Sequence, residues 1–180
     1  MIYSPSNNYI LFKQIDVLFK ASLSGGLLNI LGACLVYFLV RDTEQQPAAL
    51  MLCISVIFFA IIRRIVANNY LNKRSYRTKV YLVSYSLLTL LIGMSWGLFQ
   101  YTQLFYNDIE TRNVIFLINF GLIGGSIAVS SVWLPAYLAF ILPQSIAIFT
   151  VFINTDSASK YYIAFTFLIF IAVMITTSIN

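Results

Sequence analysis

With 180 residues, 60% of them hydrophobic and only 9% charged, the chain is too apolar for an ordinary soluble domain, in which roughly a quarter of residues are charged. Fifteen Phe and twelve Tyr would leave large apolar patches on any water-exposed fold, so lipid is the expected solvent and the expected fold is all-α, a polytopic membrane bundle. The net charge of +5 would point to nucleic acid in a soluble protein. Here it is concentrated between two apolar runs, which makes anionic lipid headgroups the expected partner and excludes nucleic acid.

The first twenty residues are set apart as an N-terminal cytoplasmic or interfacial segment. Ser4, Pro5, Ser6, Asn7 and Asn8 are turn-prone, and Leu11, Ile15, Leu18 and Phe19 then recur on one helical face among Lys13, Asp16 and Lys20. An interfacial helix along the inner leaflet is the preferred reading; a short extension of the first span is the alternative. From 21 to 40 no charge interrupts twenty residues, enough for one span. Arg41, Asp42, Glu44 and Pro47 make a first external turn, and the second span runs over about 47–64. Proline suits its first turn, and Arg63 and Arg64 end it where long side chains reach headgroups.

The connector 63–79 holds Arg63, Arg64, Lys73, Arg74, Arg77 and Lys79, six of the eleven basic residues, and no acid. Such a cluster stays on the cytoplasmic side. The third span is expected over about 80–105, ending in the interface-type aromatics Tyr101, Phe105 and Tyr106. Asp108, Glu110 and Arg112 form a short external link. The forty-three uncharged residues from 113 to 155 are about twice a bilayer core at ~1.5 Å per residue, so they fold back once. The break is placed around Ser130, Ser131, Trp133 and Pro135, giving spans near 113–131 and 134–153. A last external loop around Asp156 and Lys160 leads to a sixth span near 161–179.

Six spans over 21–180 place both termini in the cytoplasm. The external loops carry Arg41, Arg112 and Lys160 against Asp42, Glu44, Asp108, Glu110 and Asp156, an asymmetry that agrees with this orientation. The chain stops at Asn180 without charged anchoring residues beyond the sixth span, and the expectation is a membrane domain followed by a cytoplasmic element.

Gly93-x-x-x-Gly97 and Gly121-x-x-x-Gly125 place small residues one turn apart and allow close backbone approach, as intramolecular packing, a dimer seam or a ligand cleft. Trp96 reads as an interfacial anchor or as a pocket wall beside those glycines. Asn29, Asn119, Ser126 and Gln144 are polar groups in apolar spans, joining helices or touching a ligand. Pro135 begins the fifth span; Pro143, eight residues on, is a static kink or a movable joint. Cys34 and Cys53 lie in apolar runs and set no disulfide framework. With no His, no Cys-x-x-Cys, no paired carboxylates and no charge in the core of a predicted span, metal sites, cofactors, ion pumping and intramembrane hydrolysis find no support.

Arg63-Arg64-Ile65 followed by Tyr70, the basic link to Tyr81, Gly93-Met94-Ser95-Trp96-Gly97 and Leu134-Pro135 together resemble the N-terminal membrane input regions of bacterial sensor histidine kinases and diguanylate cyclases. The likeness extends to the six-span quorum-sensing kinases that detect small fatty hydroxyketones or related lipid-like signals. It spans roughly residues 45–150. The resemblance implies a bacterial inner-membrane receptor of two-component signal transduction that is a homodimer in its full-length context. Trp96, Gly97, Asn119 and Gln144 would then form the signal pocket or its surround, and Gly93, Gly121, Gly125, Pro135 and Pro143 would serve packing and hinging. The expected function is detection of a small lipophilic signal and transmission of a helix-packing change to a cytoplasmic kinase or cyclase module. Catalysis would belong to that module and not to this chain. Two alternatives stand beside it: a small transporter, and a signal-free anchor and dimerisation module. Three-plus-three spans permit a transporter repeat, but the Gly93 group has no positional match in the sixth span.

Overall fold

The computed structural model describes residues 5–73, 78–106, 109–130, 132–154, 172 and 176, and among them every regular element is helical. Five helices follow in order: α1 (Pro5–Val40), α2 (Gln46–Lys73), α3 (Thr78–Thr102, continued by a 3-10 turn at Gln103–Phe105), α4 (Ile109–Ser130) and α5 (Leu134–Asn154). Among the described residues, four segments are long and apolar enough to cross a membrane: Ile15–Val40, Gln46–Asn72, Thr78–Phe105 and Leu134–Asn154. The expected sixth span apart from 172 and 176, the loop residues 155–160 before it, Arg74, Arg77 and the Lys73 side chain lie outside the described residues.

The distribution of side chains is that of a bundle in lipid. Met51, Val83, Leu98, Leu117 and Ile146 stand on the outside, each more than 60% exposed, while Asn29, Arg63, Thr89, Gln100, Asn119 and Gln144 are buried. Water would favour the reverse; hydrocarbon rewards apolar faces outward and amides inward.

Two boundaries differ from the expectation. The segment read as a separate interfacial helix is continuous with the first span, because α1 runs unbroken from Pro5 to Val40. No proline or glycine lies between Asp16 and Ser24 to break it. Ile15, Leu18 and Phe19 are buried against Ala67, Tyr70, Leu82, Tyr85 and Ala136 rather than laid on a lipid surface. The ring of Phe19 meets Tyr70 at 4.8 Å and Tyr85 at 5.2 Å between centroids, geometries favourable for aromatic pairs. Likewise α2 does not stop at Arg64. Arginine is a good helix former, and the 28 residues of α2 make about 42 Å of helix, longer than a ~30 Å hydrocarbon core.

Caps explain where the elements turn. The Thr43 hydroxyl donates to the Val40 carbonyl at 2.9 Å and accepts from the Gln45 N–H at 3.2 Å, closing the link from α1 to α2. Pro47 occupies the first turn of α2, and Pro135 that of α5, where a missing N–H is not needed. The Trp133 carbonyl accepts from the backbone N–H groups of Ala136 and Tyr137 at the start of α5. At the same end as the Thr43 turn, the Gln103 amide donates to the Gln45 side-chain oxygen at 3.1 Å, fixing the end of α3 beside the α1–α2 turn.

The closest helix pair is α3 with α5. A Cβ added at Gly93 would stand 2.5 Å from the Phe140 carbonyl oxygen and 2.9 Å from that of Ala139. One added at Gly97 would stand 2.8 Å from the Pro143 carbonyl oxygen. Only glycine leaves room for two backbones this near. Pro143 sits inside α5, which continues as helix through it. Its missing N–H frees the Ala139 carbonyl, one of the two that Gly93 faces.

Candidate functional site

Around the α3–α5 seam the remaining helices close less completely. α4 carries Gly121, Gly124 and Gly125, and a Cβ added at any of them would meet none of the described residues within 4 Å. The close packing that the spacing Gly121-x-x-x-Gly125 suggests is not made there with any described residue. Instead Gly121 and Gly125 border a cavity of about 160 Å³, together with Gly25, Leu28 and Asn29 of α1, Arg63 of α2, Ile118, Leu122 and Ser126 of α4 and Phe140 of α5. Leu28 is half exposed, and the two α4 glycines are exposed as well, so they form the rim.

Arg63 is the unexpected member. A residue read as a headgroup anchor is 2% exposed and turned into the bundle. Nη1 donates to the Thr89 hydroxyl over a long 3.5 Å, and the guanidinium carbon lies 5.4 Å from the centre of the Tyr85 ring. The Thr89 hydroxyl in turn donates to the Tyr85 carbonyl at 2.8 Å. Nε and Nη2 are buried with no hydrogen-bond partner among the described residues. A cation–π contact contributes about 0.5–2 kcal/mol, whereas each unsatisfied buried donor costs about 1–3 kcal/mol and the charge itself several more. On these magnitudes the surroundings under-compensate the cation. Its neighbour Arg64 points elsewhere, because successive helical residues diverge by about 100°. Its Nη1 donates to the Ser22 hydroxyl at 3.5 Å, over a shallow apolar groove between α1 and α2 that Leu27, Ile30 and Ile61 also line.

Asn29 joins the cavity to the core. Its amide nitrogen donates to the Gly25 carbonyl at 2.8 Å, and its side-chain oxygen accepts from the Trp96 indole N–H at 3.1 Å. Trp96 is wholly buried, not an interfacial anchor. One edge of the indole lies 3.4 Å from where a Gly32 Cβ would stand, with Leu122 of α4 on the same spot at 3.0 Å. Small residues on α1 and α4's leucine thus complete the indole's berth.

The other residues named from the sequence are dispersed. Gly97 belongs to the α3–α5 seam. Gln144 is fully buried and spends its amide nitrogen on the Phe140 carbonyl at 2.6 Å, leaving its oxygen without a partner among the described residues. Asn119 is fully buried, with neither amide atom paired among them. Of Trp96, Gly97, Asn119 and Gln144, none lines the cavity; Trp96 reaches it through Asn29. Ser126 does line it, its hydroxyl donating to the Ile123 carbonyl at 2.6 Å. Sequence reasoning missed Arg63 as a site residue. Depth was the legible part: seventeen positions after Gln46 is about 26 Å of rise, still inside a ~30 Å hydrocarbon core, while its direction into the bundle was not.

No family model, curated protein or solved structure matches the chain. The functional reading therefore rests on the geometry above and on the resemblance of its motifs.

Proposed function

We propose that the chain is a membrane-embedded sensory input domain. A small lipophilic signal enters the cavity between α1 and α4, and the resulting change in helix packing passes to a cytoplasmic histidine kinase or diguanylate cyclase module. In this reading six spans cross a bacterial inner membrane, both termini are cytoplasmic, the 63–79 connector marks the inner face, and the full-length receptor is a homodimer.

One observation carries the reading: α4 is the helix with uncovered glycines, and it borders the cavity. A helix held on one side by backbone-to-backbone contact has no second arrangement nearby; one facing open space does. A signal shifts that choice only through different affinity for the two arrangements. The hydrogen bond from Trp96 to Asn29 supplies a direct link from the cavity wall to α3, which is locked to α5. The orientation follows from charge, and thiol labelling at a cysteine replacing Lys79, an exposed residue, tests it: reaction in intact cells with an impermeant reagent contradicts the topology.

The functional test couples the chain to a kinase or cyclase module in nanodiscs and titrates a homologous series of medium-chain alcohols and hydroxyketones. The expected outcome is a chain-length optimum in module activity that is lost when the cavity is filled by Gly125→Leu. Activity indifferent to every compound, in the wild type and in the filled variant alike, contradicts sensing.

A further inference from the structure

Arg63 is the only described charged side chain that is buried, and it stands in a cavity wall. Arginine stays protonated in proteins, so burial leaves it a cation. None of the described acidic residues pairs with it. An ionisable group buried in a span, with no acidic partner among the described residues, is by default a functional site whose counter-charge a ligand can supply. The two unused nitrogens, Nε and Nη2, share one edge of the guanidinium, opposite the Nη1 that serves Thr89. That edge is the fork that grips a planar carboxylate with two parallel hydrogen bonds.

Space and surroundings narrow the class further. The cavity of about 160 Å³ is close to the ~150 Å³ that accommodates benzene in an engineered core. A carboxylate and the first few carbons of one chain fit; a diacylglycerol phosphate does not. Besides Arg63, the polar lining residues are Asn29, whose amide is engaged by the Gly25 carbonyl and the Trp96 indole, and Ser126, whose hydroxyl donates to the Ile123 carbonyl. The other walls are apolar or glycine, with the rim at Leu28, Gly121 and Gly125 on the side where Leu117 and Leu31 are exposed. With the 63–79 connector at the inner face, as proposed above, Arg63 falls near the inner edge of the hydrocarbon core, the depth at which the headgroup of a single-chain amphiphile rests.

We propose that the cavity binds a single-chain carboxylate amphiphile, a fatty-acid anion, with its head drawn to the Arg63 guanidinium and its chain leaving over Gly125 and Gly121. This rests on the sensory reading and names the signal's chemical class. The anion completes the hydrogen bonding of the guanidinium and neutralises it. An uncharged analogue of the same length fills the same space without doing either. Arg63 then selects for charge, and the α4 glycines provide the passage for the chain.

The test compares brominated stearate with brominated stearyl alcohol, both read by quenching of tryptophan fluorescence, using the full chain in phosphatidylcholine nanodiscs with protein-free nanodiscs subtracted. The acid should bind about 10- to 100-fold more tightly than the alcohol, the difference expected of charge-assisted hydrogen bonds. Arg63→Gln should bring the acid to the level of the alcohol and leave the alcohol unchanged. Gly125→Leu keeps the arginine and enters open space, so it covers the case in which Arg63→Gln does not fold; it should abolish binding of both compounds. Equal affinities in the wild type overturn the carboxylate assignment while leaving a lipophilic sensor standing. Binding of neither compound overturns both readings. Unchanged acid binding in Gly125→Leu places the site elsewhere and also refutes the proposal. Replacing part of the phosphatidylcholine by phosphatidylglycerol should leave stearate bound; displacement would assign the site to a lipid headgroup and overturn the single-chain assignment.

Discussion

Two glycine pairs with the same four-residue spacing do opposite things in this bundle. Gly93 and Gly97 of α3 meet the carbonyls of Ala139, Phe140 and Pro143 across the α5 seam, where an added Cβ has no room. Gly121 and Gly125 of α4 meet none of the described residues, and they border a cavity. Spacing alone supplies a flat strip of helix surface; what lies opposite decides whether the strip becomes a joint or an opening. Between them stands Trp96, on the joint's helix but seated against α1 and α4, with its indole N–H on Asn29.

Breaking this contrast starts with the side chain common to both regions. Trp96→Ala removes a fully buried indole and should cost about 3–5 kcal/mol, read as a lower midpoint in detergent-titrated unfolding. Gly93→Ala forces a Cβ into the Phe140 carbonyl, and overpacking of this kind costs about 1–3 kcal/mol. Its failure to destabilise would mean that α3 and α5 are not in backbone contact. Trp96→Phe keeps most of the bulk and strands the Asn29 oxygen. The expected loss is about 1 kcal/mol, and Trp96→Phe combined with Asn29→Leu should recover part of it. Smallest of all, Gly121→Ala enters open space and should be neutral or stabilising by up to about 1 kcal/mol through helix propensity. A large loss at Gly121 would show that α4 is packed there after all.

Much of the fold is written in runs of uncharged residues. The first turn at Arg41–Pro47 and the break before Pro135 fall where a turn or a helix start is found, because breakers and charges act locally along the chain. Helix ends beside the basic residues were less legible. Neither Lys20 nor Arg64 interrupts a helix, so α1 and α2 continue and bury Phe19, Ala67 and Tyr70 in an aromatic cluster. The site was harder still. Reading Arg63 and Arg64 as one pair assigns both to headgroups, yet the turn of about 100° between them sends one toward Thr89 and Tyr85 and the other toward Ser22. Direction around a helix depends on which neighbour packs where, and no single-chain pattern of α2 contains that. Asn29 was ambiguous for the same reason: its role follows from Trp96, sixty-seven positions away.

The central distinction, a locked α3–α5 seam beside an adjustable α4, is most directly tested by distances between spin labels in nanodiscs. One pair replaces Leu98 and Ile146 on the outer faces of α3 and α5, and a second replaces Leu31 and Leu117 on those of α1 and α4, all well exposed positions. Measured with and without stearate, the first pair should give one narrow distance that does not move, and the second a broader distribution that narrows and shifts. Equal widths and equal response at both seams would contradict it.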